Sequence, residues 1–381
     1  MNGIFNDFFP DFFSIDGGNY DDMVISSRVS LARNLQDFLF PSNLTEKSSE
    51  EVISRVYSAL SEFFNLVPVN PENQPEEQGG KATLIFKNTT ELSSIEANLL
   101  EERDILPKTA PRGPKTAIAY SPDKTLFVMV NFIDHLRLIG FSHGFNPDAP
   151  FEQTKRIAAL LQQHLDFATD ERFGYLSSQL SELGSGLNFQ IILHLPALLK
   201  TEMCDEIIYE TEGDEFKILP FSANTYTPNL LDPHVGFFAL GNKTAFSGKE
   251  SQQLATVKEI TRRIMSLEVA ATKKLKTLHP GEIRFDVQKA IDEVKSAKFL
   301  DAQKALGILS ALKLAVKTET IYGISHSQLN RIFYRMSPKN LLLGVSGGNI
   351  EFPPDIKNEN QQVNYLRSLI FKECVAKIMP F

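Results

Sequence analysis

Cysteine is almost missing from this chain: Cys204 and Cys374 are the only two in 381 residues. With no C-x-x-C and no neighbouring His pair, neither a disulfide scaffold nor a structural zinc site is expected, and a reducing cytoplasm is the expected setting. Basic residues are not in excess either. Lys plus Arg number 39 against 47 Asp plus Glu, a net charge of −8, which excludes a general nucleic-acid binder because phosphate neutralisation needs a basic face. A local basic pocket stays open. No apolar run reaches about 18 residues, so no membrane span is expected. The start, MNGIFNDFFPDFFSID, has no basic region and no small-residue cleavage site, so no secretory leader is expected. Phe5, Phe8, Phe9, Phe12 and Phe13 fall at helical spacing, but Pro10 interrupts them and Asp7, Asp11 and Asp16 would be repelled by anionic lipid. Packing on the protein itself or on a dimer partner is the expectation.

Core-forming material, by contrast, is plentiful: 42% of the residues are hydrophobic, enough for about two domains at roughly 100 to 200 residues each. Val52, Val56, Leu60 and Phe63 or Phe64 share one face of a helix predicted over 46–65. Apolar runs at 82–87, 116–120, 126–132 and 187–195, bounded by turn formers, predict strands. A helix is expected at 151–168, and another after Ser247, where Ser247 and Glu250 have capping-box spacing. Beyond Pro280 the periodicity is helical, with no further strand needed, so a boundary is placed near 275–282, dividing the chain into 1–278 and 279–381.

Common catalytic signatures are missing as well. There is no phosphate-binding G-x-x-x-x-G-K-[ST], no H-E-x-x-H, no dinucleotide fingerprint and no EF-hand loop. Gly140-Phe141-Ser142-His143-Gly144 spells G-x-S-x-G, but a nucleophile elbow must run from a strand into a helix, and the stretch Asn146 to Pro150 argues against that helix. An ordinary loop is expected there.

Four segments do stand out: Ile25 to Asn34 (ISSRVSLARN), Asn131 to Arg137 (NFIDHLR), Phe173 to Leu176 (FGYL), and Gly184 to Leu187 (GSGL) running to His194-Leu195-Pro196. Together they resemble the ATP:guanido phosphotransferases, most of all the bacterial protein arginine kinases of the McsB type. The stretch LGILSALKLAVKTETIYGIS is similar to the helical C-terminal domain of those enzymes. The resemblance implies an α+β fold, an antiparallel sheet flanked by helices and followed by an all-helical domain. It also implies a site that transfers the γ-phosphoryl of Mg-ATP to a guanidinium. Such a site needs several fixed cations around the phosphates, and arginine suits the task with its planar, permanently charged fork. Carboxylates are needed to hold and deprotonate the acceptor.

Residue by residue, that pattern is only partly kept. Ser27 and Arg28 match nucleotide-binding positions, but Ser30 replaces the second arginine of Ser-Ser-Arg-x-Arg. Asn131, Asp134, His135, Leu136 and Arg137 match Asn-Glu-Glu-Asp-His-Leu-Arg, while Phe132 and Ile133 replace both glutamates. Asp104 stands where a nucleotide-contacting His belongs, Gln179 replaces a reactive cysteine, and Asn188 replaces another phosphate arginine. On an ungapped reading Leu219 replaces a third arginine and Asn224 the second carboxylate; a slip of several residues would bring Glu212 or Glu215 there instead. Of the family's phosphoarginine-binding Arg-Asp-x-x-Arg-Ala, only Arg367 remains. Arg28 and Arg137 have a structural alternative as ion-pair partners, and His135 is expected to be an oriented core histidine.

Losing one preorganised oxyanion donor typically costs about 10²- to 10³-fold in rate. The expectation is therefore a pseudokinase that regulates or binds partners in stress response or protein quality control, with no cofactor or metal. The alternative is an active phosphotransferase that uses Mg-ATP to phosphorylate protein arginines. By the resemblance, the partners would be a second copy in a homodimer, a McsA-type zinc-binding activator and a Clp unfoldase.

Overall fold

The computed structural model describes residues 19–67, 81–107, 113, 115–203, 216–221, 235–246, 248–347 and 350–380. The phenylalanine-rich start, Cys204, Glu212, Glu215, Asn224 and Ser247 lie outside them. The strand β1 (Val24–Arg33) is buried along almost its whole length because it lies near the middle of a nine-stranded sheet. The other sheet strands are β2 (Asn65–Val67), β3 (Thr83–Asn88), β4 (Ala117–Tyr120), β5 (Leu126–Val130), β6 (Leu136–His143), β9 (Leu187–His194), β10 (Phe216–Pro220) and β11 (Phe237–Asn242). Their order is β10-β11-β9-β1-β6-β5-β4-β3-β2. Every pairing is antiparallel except β2 with β3. β7 (Thr169–Asp170) and β8 (Gly174–Tyr175) form a separate ribbon.

Both faces of the sheet are covered. On one, α1 (Glu46–Phe63), α3 (Asp148–Leu161), α4 (Pro196–Lys200) and α5 (Glu250–Leu278) surround a core that includes Val29, Leu31, Leu138, Leu193, Val257 and Ile264. On the other, α2 (Ser94–Glu102) lies by a cluster containing Ile118, Phe127, Met129, Phe132 and Ile139. The remaining helices are α6 (Pro280–Ser296), α7 (Ala302–Lys317), α8 (His326–Arg335), α9 (Pro338–Gly347) and α10 (Glu359–Ala376). Their core takes in Ile192 and Phe237 from the sheet, so the helical region is packed onto the same face as α2. α5 gives way to α6 at His279, with Pro280 as the first residue of the new helix, where a missing N–H costs nothing.

Several local expectations need correction. Gly140 to His143 belongs to β6 rather than a loop, and a helix does follow, starting at Asp148 with Pro150 in its first turn. Ser142 is nevertheless no elbow nucleophile: its Oγ donates to the Asn146 carbonyl at 2.7 Å. α3 runs from Asp148 to Leu161, earlier at both ends than 151–168. α5 is preceded by Lys249, whose N–H donates to Gln252 Oε1 at 3.0 Å; Ser247 of the expected Ser247–Glu250 box lies outside the described residues. A short ribbon of β12 (Ile321–Tyr322) and β13 (Met379–Pro380) interrupts the all-helical C-terminal reading. Segments read only as motifs, 24–33 and 136–143, form the two central strands, because burial on both faces erases the alternation that marks a half-buried strand.

Candidate functional site

Residues directly opposite one another on paired antiparallel strands share a face. Register therefore places the matched and substituted positions side by side. Arg28 faces Gln190 on β9 and Phe141 on β6; Ser30 faces Asn188 and Ile139; Arg137 faces Ala32. Two positions where the resemblance calls for arginine, 30 and 188, are thus direct cross-strand partners, and they carry a hydroxyl and an amide. On the edge strand β10, Leu219 pairs with Ala239, which pairs with Ile192 on the same face; Leu219 is exposed.

Both matched arginines are engaged. The Arg28 guanidinium lies over the Phe141 ring, 5.6 Å from its centroid, and Nη2 donates to the Asp104 carbonyl at 2.7 Å. Asp104 turns the chain beyond α2 with a φ of +53°. Burial lowers the Arg28 pKa to about 10, with the Arg137 charge acting the same way and Asp104 and Glu182 opposing it. Arg137 makes a two-point fork with Glu182, at 2.8 Å to Oε1 and 2.5 Å to Oε2. Its Nη2 also donates to Asp134 Oδ2 at 3.1 Å. Burial alone would lower the Arg137 pKa, but the hydrogen bonds and charges of Glu182 and Asp134 raise it.

Sequence reasoning missed Glu182. It ends a short 3₁₀ turn over Leu180–Glu182 and is buried. The available signal was a carboxylate lying between the substituted position Gln179 and Gly184, inside a matched segment. The exposed Gln179 is held through its backbone, its N–H donating to Ser177 Oγ at 3.1 Å and its carbonyl accepting the Glu182 N–H at 3.0 Å.

The other matched residues form a scaffold around the fork. Asp134 Oδ1 accepts from Asn34 Nδ2 at 2.7 Å, Ser177 Oγ at 3.2 Å and the Ser178 N–H at 2.8 Å, joining three loops. His135 is buried and its Nδ1 accepts the Leu35 N–H at 3.1 Å; burial holds its pKa at about 4, so it is neutral. Ser27 Oγ donates to the Gly144 carbonyl at 2.8 Å and accepts from the Asn146 N–H at 3.2 Å. Where the resemblance calls for two glutamates, Phe132 joins the apolar cluster beside Ile139, and Ile133 is half-buried.

Arg367 lies elsewhere. It is buried in the helical region, Nε donating to the Met336 carbonyl at 2.9 Å and Nη1 to the Leu300 carbonyl at 2.8 Å and Asn364 Oδ1 at 2.6 Å. This network ties α10 to the ends of α8 and of the loop before α7. Among the described residues, no group of three or more His, Cys, Asp or Glu could hold a metal ion.

The helical region reaches the rim of the cleft through α2. Glu102 accepts from Ser337 Oγ at 2.6 Å and from the Lys339 N–H at 3.0 Å. It therefore places a carboxylate at the N-terminus of α9, where the helix dipole favours negative charge. Arg103 stacks on Tyr334 at 4.3 Å.

The architecture is that of the phosphagen kinases. A lombricine kinase structure superposes with a TM-score of 0.53 at 18% identity, covering 69% of this chain and 70% of that one. The duplicated taurocyamine kinase of Schistosoma mansoni gives a TM-score of 0.54 at 20% identity, covering 76% of this chain and 39% of the duplicated one. Residues 72–271 match the ATP:guanido phosphotransferase C-terminal catalytic domain, and the chain belongs to that family. Its curated relatives include the protein-arginine kinase of Clostridium novyi, 26% identical over 93% of this chain and 95% of the relative. That of Syntrophomonas wolfei is 27% identical over 84% and 85%.

Proposed function

We propose that this chain is a protein-arginine-kinase-like protein that has lost efficient phosphotransfer and works as a regulatory, partner-binding protein. The observation that carries this reading is the closed fork between Arg137 and Glu182. A guanidinium serves a transferring phosphoryl group by offering two donors and a net positive charge. Here both donors and the charge are taken by a buried acid. Ser30 and Asn188 supply no charge, and Phe132 and Ile133 have no carboxylate with which to grip an acceptor guanidinium. Of the two matched arginines, Arg28 is the one with no carboxylate hydrogen bond, and one such guanidinium is little against a nucleoside triphosphate.

The division into a kinase-like unit, 1–278, and a helical unit, 279–381, is part of this reading. So are homodimer formation through the helical unit and a cytoplasmic role in stress response or protein quality control. Partners of the McsA-type activator class and a Clp unfoldase follow by family analogy.

The test is direct. Purified full-length chain is incubated with Mg-ATP and an arginine-rich protein substrate, and phosphoarginine is sought by intact mass under conditions that preserve the P–N bond. No phosphoarginine, and no rise in melting temperature with Mg-ATP, are expected. Turnover on the protein substrate would establish the active phosphotransferase instead.

A further inference from the structure

Between the cleft face of the sheet and the helical region lies a cavity of about 70 Å³. Arg28 and its cross-strand partner Gln190 line it, with Glu102, Arg103 and Asp104. Ile192, Leu306, Phe333 and Met336 contribute apolar walls, the last three from the helical region. The floor thus comes from one part of the fold and the lid from another.

We propose that this cavity binds a short-chain monocarboxylate, held by Arg28 and Gln190 with its alkyl end against the helical region. The charge match is the argument. Arg28 spends one amino nitrogen on a neutral acceptor, the Asp104 carbonyl, and its Nε is buried with no hydrogen-bond partner. A half-buried cation with an unspent donor is stabilised by a carboxylate, whose two oxygens fit the guanidinium edge. The acids already lining the cavity give Arg28 no carboxylate hydrogen bond. Glu102 is bound by Ser337 and the Lys339 N–H, and Asp104 offers Arg28 its carbonyl. Burial lowers the Arg28 pKa to about 10 even with the Asp104 and Glu182 charges opposing it.

Size and charge both limit the ligand. Roughly 10–15 Å³ of such cavity space admits one water, so the cavity takes a molecule of a few heavy atoms such as propionate. The Arg28 guanidinium matches a single negative charge; Arg103, also in the lining, donates to the Tyr334 carbonyl and stacks on its ring. A carboxylate bridging floor and lid would favour the closed arrangement of the helical region, coupling a small acid to whatever that region binds.

This inference rests on the reading that Arg28 no longer serves Mg-ATP, and the two fail separately. Propionate, propionamide and Mg-ATP are titrated against the full-length chain, with binding followed by calorimetry and melting temperature. Propionate should bind at millimolar concentration or below, and propionamide at least about tenfold more weakly, because a charge-assisted hydrogen bond is lost. Arg28→Gln should weaken propionate to the level of the amide. Leu306→Trp, which fills the apolar end without touching the arginine, should abolish binding while the chain stays folded by circular dichroism. Equal affinity for propionate and propionamide, unchanged binding in both variants, or no binding at all overturns the proposal. Mg-ATP binding that competes with propionate would overturn the loss of the nucleotide site while leaving a carboxylate subsite in place.

Discussion

Arg137 and Glu182, 45 positions apart in the chain, meet in a two-point fork at 2.8 and 2.5 Å, with side-chain exposures of 15% and 8%. A pair so enclosed is held in place chiefly by the cost of separating it, since either partner alone would be an uncompensated buried charge.

Glu182→Gln should therefore lower stability by about 3 kcal/mol in urea denaturation. It should also return positive charge to the cleft, so that Mg-ATP or inorganic phosphate raises the melting temperature of the variant more than that of the parent. A variant as stable as the parent, with no gain in anion binding, would show that the fork is incidental.

His135 should shape the acid limb of the stability curve. Burial lowers its folded pKa to about 4 from an ordinary 6.5. As pH falls below 6.5 the unfolded chain takes up a proton that the folded chain refuses. Its contribution is fully present above pH 6.5 and is lost between 6.5 and 4, on the order of 3 kcal/mol at most. His135→Asn keeps an acceptor for the Leu35 N–H and should flatten that part of the profile in pH-dependent melting.

Arg367→Met should destabilise the chain by about 3 kcal/mol, because the Leu300 and Met336 carbonyls lose their donors inside the protein. Arg367→Lys should not restore it, since one ammonium cannot span both carbonyls in the geometry of a planar fork. Equal melting temperatures for parent and lysine variant would show that charge alone suffices.

Glu102→Ala should loosen the lid. With its acceptor oxygens gone, amide exchange across residues 336–340 should accelerate while α5 keeps its protection, at a cost of about 2 kcal/mol in total stability. Uniform acceleration over the whole chain would contradict a local tie between α2 and α9.

Much of this protein was determined by its sequence alone. Runs such as 126–132 and the periodicity of 46–65 named strands and helices because burial of one face or both leaves a repeat in the residues themselves. Four ordered segments marked the family, and the places where that pattern breaks at Ser30, Phe132, Ile133 and Asn188 needed no coordinates. Other facts belong to the tertiary structure only. That Ser30 lies directly opposite Asn188 follows from strand register, that Glu182 closes on Arg137 follows from a loop folding back over β6, and that Glu102 meets the start of α9 follows from how the last helices dock. No local repeat encodes these meetings, because each joins side chains from distant segments whose separation is set by packing of the whole sheet.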